Sequence, residues 1–145
     1  MAFWLFKSEP ATWSWDQQVE AGRDGTPWTG VRNYQARNFM REMTPGERGF
    51  FYHSNEGKAV VGIVEVAARS HPDDTAETPG TWDCVDLRAV MPVPSPVTLE
   101  VIKAEPRLAE MVLATNSRLS VQPVREAEFR TICEMGGLDP EKALT

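Results

Sequence analysis

The feature that most constrains this chain is the pair of β-forming runs on either side of Asn55-Glu-Gly57. Residues 49–54 set Phe50 and Tyr52 on one side of a strand and Phe51 and His53 on the other. Residues 58–67 carry Val60, Val61, Ile63, Val64 and Val66, branched side chains that suit a pleated surface better than a helix. The connector is short and contains Asn and Gly, which tolerate positive φ, so the two strands are predicted to pair as a hairpin. Thr44-Pro-Gly-Glu47 is the turn that leads into it.

Further strands are predicted around that pair. Residues 3–6 form an apolar, aromatic run, with Lys7-Ser8-Glu9 at its end and Pro10 as its stop. Residues 82–93 alternate Val85, Leu87, Ala89 and Met91 with Asp86, Arg88 and Val90, and Pro92, Pro94 and Pro96 are expected to end the strand. Residues 118–123 read as a short strand with Leu119 and Val121 on one face and Arg118, Ser120 and Gln122 on the other. Residues 69–81 read as a loop.

Helices are predicted at 12–21, capped by Thr12 and stopped by Gly22, then after Thr98, at 108–114 and at 126–135. In the first of these Trp13 and Trp15 point about 200° apart, so one of them has to cover a loop. With no internal repeat and no long linker, residues 1–145 read as one α+β domain: a curled, partly open barrel-like sheet with short helices packed around it.

Residues 28–43 stand out chemically. Ala36, Phe39, Met40 and Met43 are spaced as the buried stripe of a helix, while Arg32, Gln35, Arg37, Asn38 and Arg41 precede any carboxylate. Arg37 and Arg41 are like charges one turn apart, which costs an isolated helix roughly 0.2–0.5 kcal/mol. A carboxylate from elsewhere in the fold or an anionic ligand is needed to offset that. Asn33 and Tyr34 open the helix after Gly30, and Asn33 reads either as an N-cap or as a base-edge partner. Trp28 lies in a glycine-containing loop, where a large ring is more often displayed than buried. Trp82 reads as a second aromatic wall or as a plug at the edge of the core.

The formal charge of −6 argues against a protein that coats nucleic acid without selectivity. Residues 1–60 carry seven Lys/Arg against seven Asp/Glu, and residues 61–145 carry eight against fourteen. A polyanion should therefore meet the first part of the chain through a small, selective contact. Cys84 and Cys133 lack ligand spacing, and His71-Pro-Asp-Asp74 reads as a hydrated turn, so neither a metal nor another cofactor is expected. The apolar opening is too short for a signal peptide or a membrane span, which leads to the expectation of a cytoplasmic protein, or a nuclear one in a eukaryote, with no membrane contact.

Four blocks together, Trp4-Leu-Phe-Lys-Ser-Glu-Pro10, residues 28–38, Phe50-Phe-Tyr-His-Ser54 and Arg118-Leu-Ser-Val-Gln-Pro123, resemble the EVE domain family of the PUA-like group, to which YTH domains are related. The resemblance extends over nearly the whole chain. It implies a PUA-like fold and a reader of modified cytosine in DNA or of modified bases in RNA. It also sets the Lys-Ser-Glu-Pro segment beside the ligand pocket and favours a pocket role for His53 and Ser54. The expected base site comprises Trp28, Asn33, Tyr34, Lys7, Ser8, Glu9, His53, Ser54, Trp82 and Ser120. Arg32, Arg37, Arg41 and Arg118 are expected to meet phosphate. No catalytic motif is found, which favours a reader over an enzyme. The rival is a sensor or an enzyme that holds a nucleoside-like or acidic small molecule in the same pocket.

Overall fold

A computed structural model describes residues 1–116 and 118–144. Its frame is one six-stranded mixed sheet: β1 (Phe3–Ser8), β2 (Thr26–Pro27), β3 (Arg48–His53), β4 (Ala59–Pro72), β5 (Asp83–Thr98) and β6 (Val121–Val124). Their order across the sheet is β2-β5-β4-β3-β1-β6, so β2 and β6 are the edges and the sheet does not close. β1 runs parallel to β3, and every other pairing is antiparallel. The expected hairpin is β3–β4, with a register shift between Phe51 and Tyr52.

Side chains alternate across the pleat, and this splits the core in two. Phe3, Leu5, Phe50, Tyr52 and Ile63 face one side and meet Phe129, Ile132 and Cys133. These last belong to helix α5 (Glu126–Met135), introduced here with α1 (Trp15–Glu20), α2 (Tyr34–Glu42), α3 (Leu99–Ala104), α4 (Val112–Thr115) and α6 (Pro140–Leu144). Trp4, Phe6, Phe51 and Val64 face the other side, where Trp15, Trp28, Ala36, Met40 and Met43 cover them. That second face carries the candidate site. Cys84 and Cys133 are free and buried, and burial pushes both thiols up to about 12.

Several boundaries differ from expectation. Ser14, not Thr12, caps α1: its side chain accepts from the Gln17 N–H, and the Gln17 amide oxygen accepts from the Ser14 N–H. Thr12 and Trp13 are therefore left in the turn before the helix. Trp15 is the buried indole, and it lies so close over Gly62 that a Cβ there would come within 2.4 Å of its ring. β4 extends to Pro72, into the stretch read as loop.

β5 runs through all three prolines to Thr98. Between the pairs Gly62↔Pro92 and Val60↔Val97 the ladder is interrupted, so 93–96 oppose Val61 alone. Pro94 and Pro96 thus sit at an irregularity where no ladder donor is required. The Ser95 N–H between them donates to the Gly136 carbonyl instead. The helix expected at 108–114 is a 3-10 turn at Pro106–Leu108 followed by α4. Gln122, expected beside Arg118 and Ser120, is fully buried and donates to the Leu119 and Asn116 carbonyls. Among the described residues no helix is long and apolar enough to cross a membrane.

Candidate functional site

On the second face an open recess of about 560 Å³ lies between the end of β1, the turn that follows it and the loop 28–32. Lys7, Ser8 and Glu9 come from β1 and its exit, Thr12 and Trp13 from the turn, Thr26 to Arg32 from β2 and the loop, and Ser120 from the approach to β6. Backbone bonds hold these pieces together. The Lys7 N–H donates to the Ser120 carbonyl at 2.9 Å, and the Thr12 and Trp13 N–H groups donate to the Glu9 carbonyl. The Ser8 hydroxyl donates to the Trp13 carbonyl.

The loop is anchored at both ends. The Trp28 N–H donates to the Val85 carbonyl at 2.8 Å. Gly30 adopts φ +87, a left-handed conformation that suits glycine, and its N–H donates to Asp73 Oδ2 at 2.9 Å. Arg32 Nη1 donates to the same oxygen at 3.0 Å, while the Thr75 N–H and hydroxyl donate to Oδ1. Burial alone would raise the Asp73 carboxyl, but these hydrogen bonds outweigh it and bring it down to about 2. A residue read as part of a hydrated turn is thus the buried anchor of the loop. Among the described residues no cluster of His, Cys, Asp and Glu is grouped to hold a metal ion.

Of the expected base-site residues, the structure brings Lys7, Ser8, Glu9, Trp28 and Ser120 to the recess, and Arg32 joins them. Trp28 is not displayed as a free surface. It is 8% exposed and meets Phe6 and Phe51 edge-on at 5.6 Å each, because the alternation of β1 and β3 turns those rings toward it. Trp28 is therefore a core residue that also contributes to the recess lining. Burial lowers the pKa of the Lys7 amine.

The remaining expected residues do not line the recess. The Asn33 side chain accepts from the Ala36 N–H and caps α2. His53 Nε2 accepts from the Trp15 N–H at 3.0 Å, and the Ser54 N–H donates to the Ser8 carbonyl. Tyr34 and Trp82 stack on one another with centroids 4.8 Å apart. Carbonyls and carboxylates of the protein meet two of the helix arginines: Arg37 donates to the Thr81 carbonyl and Arg41 to Asp83. That is the internal offset the like-charge pair required. Arg118 is exposed and its N–H donates to Asn116 Oδ1.

The expected set lacks Trp13, and with it Thr12, Thr26, Pro27, Thr29, Gly30 and Val31. The 200° argument held half the signal for Trp13, since it required one of the two indoles to leave the helix core. Trp13 Nε1 donates to Gln18 Oε1 at 2.9 Å, which fixes the indole at the side of the recess.

Comparison with known proteins agrees with the fold. Human thymocyte nuclear protein 1 is 32% identical over 94% of this chain and 75% of its own length. Protein Atu2648 of Agrobacterium tumefaciens superimposes with a TM-score of 0.93 at 61% identity, covering 95% of this chain and 94% of that one. Human THYN1, solved in complex with DNA containing 5-methylcytosine, superimposes with a TM-score of 0.87 at 31% identity, covering 97% of this chain and 100% of that one. The family model of the EVE domain matches residues 2–135, and with these relatives it places the chain in the EVE domain family, of PUA-like fold.

Proposed function

We propose that this chain binds nucleic acid by taking one modified base, a modified cytosine in DNA in the first instance, into the recess beside Trp13 and Trp28. The observation that carries this reading is the open, partly aromatic concavity itself, in a fold whose human relative is solved with 5-methylcytosine DNA. Its volume lies within the range of sites that hold one small organic molecule. The lining carries Lys7, Arg32 and Glu9, and Asp73 pairs with Arg32, so in a chain of net charge −6 the charges around the recess nearly balance and phosphate adds little to the hold.

Extruding a base from a duplex costs a few kcal/mol, and stacking it returns roughly 1–3 kcal/mol. The near-cancellation leaves affinity to small additions. Lys7, Ser8, Glu9 and Ser120 offer donors and acceptors to a base edge. A buried methyl adds about 0.8 kcal/mol, which is about fourfold in affinity. On this reading the chain is a binding module, and its polar groups hold a base rather than transform it.

A panel of oligonucleotides identical except for one cytosine, its 5-methyl form and its hydroxymethyl form tests the proposal. Tighter binding of a modified form is the expected result, and equal binding across the panel would overturn it. The internal pairing of Arg37 and Arg41 favours one alternative, a free nucleoside-like ligand, because fewer cations remain for phosphate. Ionic strength separates the two. A reader touching one or two phosphates should show a log–log salt slope of about −1 to −2, and an uncharged ligand should show almost none.

A further inference from the structure

We propose that the outer face of Tyr34 is a second stacking position, which receives the base adjoining the one held in the recess. The inference rests on the nucleic-acid reading above and extends it from one nucleotide to two.

Tyr34 is the first residue of α2 and is 61% exposed, the largest exposure of any aromatic ring in the described chain. Its inner face lies on Trp82, with centroids 4.8 Å apart and planes 28° from parallel. The Arg37 guanidinium carbon is 4.9 Å from the Tyr34 centroid and 5.8 Å from that of Trp82. Those three lengths close a compact triangle, so the cation sits on the flank of the pair and not over the outer face of Tyr34. A guanidinium on that outer face would stand much farther from Trp82. Arg37 is held on the flank by its bonds to the Thr81 carbonyl and to Asn38 Oδ1.

The outer face of Tyr34 is thus flat and open, and it is held in place before any ligand arrives. Little side-chain entropy remains to be lost when a third ring is laid on it. Stacking of this kind tolerates any base, since every base has a π face. Arg32 makes the ledge continuous with the recess, since it lines the recess while its guanidinium carbon lies 5.8 Å from the Trp82 ring. Asp73 fixes Arg32 in that bridging position. A strand that enters the recess therefore leaves it past a cation and onto an aromatic platform.

The test compares wild type, Tyr34→Ala and Tyr34→Phe with two ligands: the free nucleoside of 5-methylcytosine, and a short oligonucleotide bearing one such base. Tyr34→Ala should weaken oligonucleotide binding roughly fivefold or more, as the loss of one base–aromatic stack implies. Tyr34→Phe should keep wild-type affinity, and nucleoside binding should be the same in all three. An oligonucleotide with an abasic nucleotide beside the modified base should bind wild type and Tyr34→Ala equally. Unchanged oligonucleotide affinity in Tyr34→Ala overturns the proposal and leaves the ledge to another class of partner. An equal loss with the nucleoside also overturns it, since the effect would then act through the recess. Failure of wild type to bind either ligand is a different result, visible before any variant is made; it removes the recess reading and this inference with it.

Discussion

Replacing Trp28 by alanine removes an indole that meets Phe6 and Phe51 edge-on in the core, and a loss of about 3–5 kcal/mol in stability by denaturant unfolding is expected. Trp28→Phe should lose much less and is the better probe of the recess, since an unfolded variant says nothing about binding. At His53 the expected effect is on pH dependence. Burial lowers its pKa while Asp16 opposes the shift, and Nε2 accepts the Trp15 N–H only when unprotonated. Its contribution to stability is therefore complete above the ordinary value of 6.5 and is lost as pH falls through the lower folded value. His71 has the opposite sign, because its hydrogen bond with Asp86 raises its pKa, so its contribution fades as pH rises through that value. Thermal melts of His53→Gln should lose the acid-side decline that wild type shows; an unchanged decline would place it elsewhere. The sequence gives each of these side chains its chemistry but not its neighbours. Asn33 can cap a helix or meet a base with the same amide, and only the fold decides that the Ala36 N–H takes it.

At the scale of elements, the loop 28–32 depends on one carboxylate. Asp73→Ala removes the acceptor of Gly30, Arg32 and Thr75, and about 1.5–3 kcal/mol of stability should go with it. Hydrogen exchange should then quicken first at the amides of 28–32, and unchanged protection there would refute the anchoring role. Strands were legible wherever the pleat buries alternate residues on two faces, as in β1 and β3, because period two has one structural meaning. Boundaries were less legible where two local signals compete. Thr12 and Ser14 are both capping residues, and the return bond from Gln17 settles the choice for Ser14. The prolines of β5 read as a stop because a sequence does not disclose that the ladder is interrupted opposite them. Asp73 was unreadable for a similar reason, since its partners lie more than forty residues away at Gly30 and Arg32.

For the whole molecule, the balance of charge limits how nucleic acid can be held. The chain carries −6 and engages Arg41 and Arg32 with its own carboxylates, so on the proposed reading affinity comes mainly from ring stacking and little from phosphate. The proposed function therefore turns on the recess, and the five indoles of the chain report on it directly. Heteronuclear NMR can follow each indole N–H while the free nucleoside of 5-methylcytosine is added. The Trp13 and Trp28 signals should shift together and saturate at one dissociation constant, while those of Trp4, Trp15 and Trp82 stay in place. Saturable shifts confined to Trp82, or none at Trp13 and Trp28 in a sample that binds the nucleoside, would rule out a base held in the recess.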